Sequence, residues 1–132
     1  EFMSLKIGAS DHMDDITSIL FRLDITPNLK GFDSIKQGIS LIIADKSKYH
    51  HITKSLYPDI AKITGSTSRR VERSIRYAIS VAIRADYEDE MQKIIGITPY
   101  KCRITNSEFM FTVAQVIEEE RRNVGRRAVT KD

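Results

Sequence analysis

Residues 57–84 read YPDIAKITGSTSRRVERSIRYAISVAIR, and the fold turns on them. Pro58 to Thr64 can form a short helix, because a proline is best tolerated in a first helical turn and Gly65 is a natural residue just past a helix end. Ser66, Thr67 and Ser68 follow as a cluster of good N-cap residues, and a periodic stretch then runs to Ala85. With Val71 set at 0° and ~100° added per residue, Ile75, Ala78 and Ala82 fall within about 40° of it. Arg69, Arg73, Arg76, Ser80 and Arg84 fall between roughly 140° and 220°, on the opposite face. A short helix, a tight turn with Gly65, and a second helix with an apolar stripe and a basic outer face outline a helix-turn-helix. Ile60 supplies its apolar anchor, Ala61 the small residue at the helix crossing.

Helical period continues on both sides. Asp14 and Asp15 can cap a helix with Ile16, Ile19, Leu20 and Leu23 on one face, and Thr26-Pro27 should stop it. A second helix is expected from Asp33 to Asp45, carrying Ile35, Ile39, Ile42 and Ile43. A third begins near His50 with Ile52 and Leu56, and Pro58 separates it from the helix that ends at Gly65. Downstream, a short helix over Glu88 to Ile95 should close at Gly96. Thr105 and Glu108 have capping-box spacing and open a last helix that buries Phe109, Val113, Val116 and Ile117. No alternating strand pattern or internal repeat occurs. The expectation is an all-α domain of six or seven helices.

The 132 residues, 41% apolar and 30% charged, fit one globular domain rather than a disordered chain. Residues 1–13 read as an expression scar or linker, 14–122 as the helical domain and 123–132 as a basic tail. No apolar run approaches the ~18 residues needed to cross a bilayer, and no signal-peptide pattern opens the chain. The single cysteine, Cys102, allows neither an internal disulfide nor a thiolate metal cage, which places the expected compartment in the cytoplasm. The overall charge of +3 is weak evidence for any partner, but its distribution is not. Ser66 to Arg84 holds five arginines against one acid, Glu72.

Arginine matters here because its planar fork can bond guanine O6 and N7 together, which lysine cannot do. In a helix-turn-helix the first turns of the second helix reach base edges, so Arg69, Arg70, Glu72, Arg73 and Arg76 are the candidate base readers. Glu72 can accept from a cytosine amino group or orient a neighbouring arginine. Candidate phosphate contacts are Lys62, the hydroxyls and free N–H groups of Ser66, Thr67 and Ser68, then Tyr77 and Arg84. The bland alternative is an ordinary solvated helix face, on which Glu72 and Arg76 form an i, i+4 pair.

Four separated motifs then add up to a resemblance: LYPDIA at Leu56–Ala61, RVER at Arg70–Arg73, IRYAI at Ile75–Ile79 and TNSEF at Thr105–Phe109. In colinear order they resemble the C-terminal DNA-binding domain of the stage-zero master response regulator of bacterial sporulation. Weaker similarity extends through LKGF at Leu29–Phe32 and ISLIIAD at Ile39–Asp45. The resemblance implies an all-helical effector domain that binds double-stranded DNA at a TGTCGAA-like box. It implies a contact with the sigma subunit of RNA polymerase through Ala85–Tyr100 and leaves room for a second copy on tandem boxes. This chain departs from the family pattern at Arg69, Ser74 and Tyr77, where serine, alanine and histidine are expected. Ile63-Thr64 also places the turn's apolar residue one position early, and Asp86–Glu90 brings four acids into the expected sigma contact. The receiver half of that family has no counterpart in this sequence.

Other constellations carry less. His50 and His51, as helix neighbours about 100° apart, are poorly placed to share a metal. Cys102 lacks an activating base, and the Asp86–Glu90 acids suit a helix start better than acid/base chemistry. No phosphate-binding glycine loop or serine elbow occurs, so neither catalytic residues nor a cofactor are expected. The tail Arg121–Lys131, with five basic residues and no acid, reads as a solvated end or as extra phosphate contact. The competing class is a helical protein-interaction module without specific DNA binding. It requires the Ser68–Arg84 face to be occupied within the fold.

Overall fold

A computed structural model describes residues 13–84, 92, 93, 96 and 104–130, with side chains given to residue 82 in the fourth helix and to residue 123 in the last. Among the described residues the chain is all-α. The helices are α1 (residues 13–22), α2 (Phe32–Ala44), α3 (Tyr57–Thr64), α4 (Ser68–Arg84) and α5 (Asn106–Thr130). A π-helical turn, Ile52–Leu56, runs directly into α3.

Five α-helices therefore stand among the described residues where six or seven were expected. One reason is the π turn. Pro58 has no N–H to offer the Lys54 carbonyl, and its ring would crowd that carbonyl in a regular helix. The Tyr57 N–H instead reaches back five residues to the Ile52 carbonyl, which widens the helix just before the proline. The expected break at Pro58 is thus a bulge, not an end. The other reason is position. Most of the expected Glu88–Ile95 helix lies outside the described residues, although Gln92 and Lys93 are helical. Gly96 takes φ +70° and donates its N–H to the Gln92 carbonyl, as a glycine closing a helix does.

The ends of α1 differ from expectation as well. Asp14 and Asp15 lie within its first described turn rather than before it. Asp15 accepts from Arg121 of α5, at 3.0 Å from Nε and 2.8 Å from Nη2. The stop comes from Asp24, not from Thr26-Pro27. Asp24 adopts φ +61°, its N–H bonds the Phe21 carbonyl at 3.0 Å, and the Ile25 N–H bonds the Leu20 carbonyl at 2.8 Å. That is a Schellman motif built on aspartate, one of the few side chains that tolerate the left-handed region. The start of α5 matches its sequence closely. Thr105 N–H donates to Glu108 Oε1 and Glu108 N–H to Thr105 Oγ1, both at 3.0 Å, the two halves of a capping box.

The core is formed where α2 packs on α5, α3 and α4. Ile16, Leu20, Leu23, Ile35, Ile39, Ile42, Leu56, Ile60, Ile75 and Phe109 are all fully buried there. The expected inner face of α5 is buried at Phe109, Val113 and Ile117, joined by Met110 and Ala114, while Val116 is half-buried. After α2, Tyr49 is buried and its hydroxyl donates to Asp59 Oδ2 at 2.7 Å. Lys48 Nζ stands 3.5 Å from the same carboxylate. The hydrogen bond from Tyr49, reinforced by the Lys48 charge against a counter-effect of burial, holds the Asp59 carboxyl below its ordinary value.

Two positions of close approach fix the helix packing. A Cβ at Gly31 would collide with the Ser74 carbonyl oxygen of α4 and lie 2.9 Å from the Ala78 Cβ. A Cβ at Gly38 would meet Met110 Sδ at 2.8 Å and Ile60 Cδ1 at 3.0 Å, both ends of flexible side chains. Gly31 therefore has no room to yield, and Gly38 has some.

Two outcomes follow for stability. Gly31→Ala should cost about 1–3 kcal/mol or more through overpacking against backbone, read as a lower urea midpoint; an unchanged midpoint would mean that α2 does not rest on α4 as described. Asp59 has a folded pKa below its unfolded value of 3.8, so its stabilising effect is present above that value and is lost as pH falls through the folded one. Asp59→Asn should therefore melt below wild type at neutral pH, with the gap closing as the pH is taken under 3.8. A gap independent of pH would remove the charge from the account.

Candidate nucleic-acid interface

α3 and α4 pack on each other around the Gly65 turn. Gly65 takes φ +68°, ψ +38°, and its N–H bonds the Ala61 carbonyl. The Ser66 N–H reaches the same carbonyl at 2.9 Å. Only a residue at ease in the left-handed region closes α3 in this way, and the sequence supplies glycine. Thr67 then caps α4: its Oγ1 accepts from the Arg70 N–H at 3.2 Å, and its carbonyl takes the Val71 N–H at 2.9 Å. With the Thr67 oxygen engaged, its hydroxyl proton is what remains to offer a phosphate.

The two faces of α4 separate as the angular arithmetic requires. Val71, Ile75, Ala78 and Ala82 are buried, and Ile79, which flanks the stripe, is buried with them. Arg69, Arg70, Arg73 and Arg76 are exposed. Arg76 Nη2 lies 3.2 Å from Glu72 Oε1, the arginine side chain 65% exposed and the glutamate 34%. Such a pair adds little stability, but it sets the direction of the Arg76 guanidinium. Arg69, Arg70 and Arg73 make no ion pair among the described residues. Three free guanidinium groups thus stand on the outer side of a helix whose inner side is locked into the core.

The expected phosphate contacts are brought together only in part. Ser66, Arg70, Arg73 and Tyr77 line one open cleft of about 790 Å³ with Lys30, Asp33, Ser34, Thr64 and Ser74. Tyr77 is 54% exposed. Lys62 is exposed on the last turn of α3, Thr67 is exposed and Ser68 half-buried at the start of α4. The backbone of Arg84 is helical, but its side chain lies outside the described residues. On the other flank of α4, Glu72 and Arg76 share a smaller cleft with Tyr57 and the Thr105–Ser107 turn. In the last turn of α3, Ile63 is 52% exposed. Thr64 behind it is half-buried, its hydroxyl donating to the Ile60 carbonyl at 2.9 Å.

Asn106 carries a role that its place in the TNSEF helix-start motif does not reveal. Its Nδ2 donates to the Tyr57 hydroxyl at 3.0 Å and to the Glu72 carbonyl at 3.1 Å. The carbonyl can only accept, so the amide must turn its nitrogen inward. One side chain at the first turn of α5 thereby ties α3 and α4 together. Burial pushes the Tyr57 hydroxyl above its ordinary value, with the Asn106 hydrogen bond working in the opposite direction.

His50 and His51 meet edge to face with ring centroids 5.1 Å apart, and no group of metal-ligating side chains occurs among the described residues. Among those residues no helix is long and apolar enough to cross a membrane. Cys102, Asp86–Glu90 and most of Ala85–Tyr100 lie outside the described residues. The family described as "Sporulation initiation factor Spo0A C terminal" matches residues 16–117 of the chain, a span from the buried Ile16 of α1 to the buried Ile117 of α5.

Asn106→Ala removes two hydrogen bonds of about 0.5–1.5 kcal/mol each. It should lower stability by about 1–2 kcal/mol in urea titrations, with the helical circular dichroism of the native state unchanged. A loss near zero would mean that the side chain does not brace α4.

Proposed function

The chain belongs to the family of sporulation initiation factor Spo0A C-terminal domains, and from that premise we propose how this DNA-binding sporulation regulator domain reads its target. α4 lies in the major groove of double-stranded DNA over a TGTCGAA-like box. Arg69, Arg70, Arg73 and Arg76 face base edges, with guanine O6 and N7 as the preferred acceptors, while Glu72 accepts from a cytosine amino group or holds Arg76 in line. Lys62, Ser66, Thr67, Ser68, Tyr77 and Arg84 contact phosphates and set the register without carrying sequence information. The observation that carries this reading is the state of the outer face: three exposed arginines with no ion pair among the described residues, on a helix fixed by its opposite side. A face occupied within the fold would have favoured a protein-interaction module instead.

The wider assignment is part of the same proposal. The domain works in the cytoplasm as the output half of a two-component response regulator, and Ala85–Tyr100 meets the sigma subunit of RNA polymerase. Two copies sit on tandem boxes. The family is one of regulatory domains rather than of enzymes, and no cofactor enters the reading.

Fluorescence anisotropy with a TGTCGAA-type duplex and a scrambled duplex, each at two salt concentrations, tests it. The box should be preferred by at least ~10³, with the logarithm of affinity falling against that of salt by about 0.9 per phosphate contact. Arg73→Ala should cost about 1–3 kcal/mol on the box and little on scrambled DNA. Equal affinities for both duplexes would reduce the protein to a backbone binder, and no binding to either would transfer the assignment to protein interaction.

A further inference from the structure

The cleft beside α4 contains a cation that belongs to neither helix of the helix-turn-helix. Lys30 lies in the connection between α1 and α2, is exposed, and makes no ion pair among the described residues. Its place is not left to the connection. The next residue, Gly31, is buried and sits so close to α4 that a Cβ there would strike the Ser74 carbonyl. The backbone that carries Lys30 is therefore pressed onto the recognition helix one residue beyond Arg73. Across the open cleft Lys30 faces Arg70, Arg73, Ser66 and Tyr77, with Asp33 the one acid on the lining. Three cations and one carboxylate around an open cleft favour an anion.

We propose that Lys30 binds a backbone phosphate of the DNA strand that passes along the α2 side of α4, so that the duplex is gripped from outside the helix-turn-helix. This rests on the reading above, that α4 enters the major groove. A helix seated there has a sugar–phosphate backbone on each flank, and the Lys30 cleft occupies one of them. The ammonium, a compact point charge with no bidentate preference, suits a phosphate better than a base edge. Asp33 works against the contact and limits its strength.

The test compares Lys30→Ala, Lys30→Arg and Asp33→Asn with wild type on the box and the scrambled duplex over a range of salt. Lys30→Ala should weaken both duplexes by the same factor, about eightfold at 0.1 M salt, and should make the salt slope shallower by about 0.9. Lys30→Arg should restore both quantities, and Asp33→Asn should tighten both complexes. Thermal melting of Lys30→Ala should match wild type, since the side chain is exposed. Wild-type affinity and slope in Lys30→Ala would overturn the proposal while leaving the DNA reading intact. So would a loss confined to the box, which would make Lys30 a base reader. Replacing chloride by inorganic phosphate at constant ionic strength provides the remaining arm. Phosphate binding to the DNA-free protein that Lys30→Ala abolishes, with duplex affinity left unchanged by that substitution, would assign the cleft to a free anion and overturn the backbone contact. If wild type binds neither duplex, the DNA reading itself falls.

Discussion

The start of α2 rests on the backbone of α4 at a separation that admits no side chain at Gly31. Everything functional in the molecule depends on that contact, because it decides where α4 stands relative to the core. The helix has two incompatible duties: its Val71, Ile75, Ala78 and Ala82 face must be dry, and its arginine face must be wet. Burial of small and branched residues satisfies the first duty only if the neighbouring chain comes very close. Alanine at positions 78 and 82 leaves shallow ground, and a glycine-bearing segment can reach it where a larger residue would be held off.

α4 is braced on its second flank by a polar contact rather than by packing. Asn106 spans from the Tyr57 hydroxyl to the Glu72 carbonyl. The capping box of α5 holds that side chain in place, with both halves closed at 3.0 Å. Local helix-start chemistry at residues 105–108 is thus converted into a tertiary restraint more than thirty residues away in sequence. The Arg121–Asp15 pair joins α5 in turn to α1, and the Lys46–Glu118 pair joins it to the end of α2. Both of these are partly exposed to solvent and contribute less than the apolar contacts beside them.

These restraints also mark where sequence reading succeeds and where it stops. The α3–turn–α4 unit was legible because each device is local. Gly65 lies where a left-handed residue is required, Thr67 caps, and the apolar stripe repeats at helical period. The α5 start was legible for the same reason. The end of α1 was not, since Asp24 in the left-handed region competes poorly with a downstream proline as a stop signal, although the Schellman bonds form on aspartate. Nor was the π turn, whose widening before Pro58 has no composition of its own. The candidate site divides along the same line. The arginines of α4 were visible from periodicity within one helix, whereas Lys30 and the double role of Asn106 exist only once separate elements are packed together.

The two braces converge on one point of the recognition helix. Asn106 holds α4 by the Glu72 carbonyl, and the Gly31 segment lies against it at Ser74. These residues stand immediately before and after Arg73. A guanidinium discriminates bases by a fork whose two N–H groups must arrive together, so an error of an ångström or a few tens of degrees removes the advantage over a simple charge. Exposed arginine carries large rotamer freedom, and among the described residues no ion pair reduces it at position 73. What the fold can supply is a rigid origin for that side chain, and it does so where the helix is held from both flanks. Under the DNA-reading assignment, Arg73 is therefore the side chain whose geometry the scaffold controls best. Arg69, a turn nearer the free end of α4 and outside the braced segment, is better suited to adapting to the duplex than to selecting it.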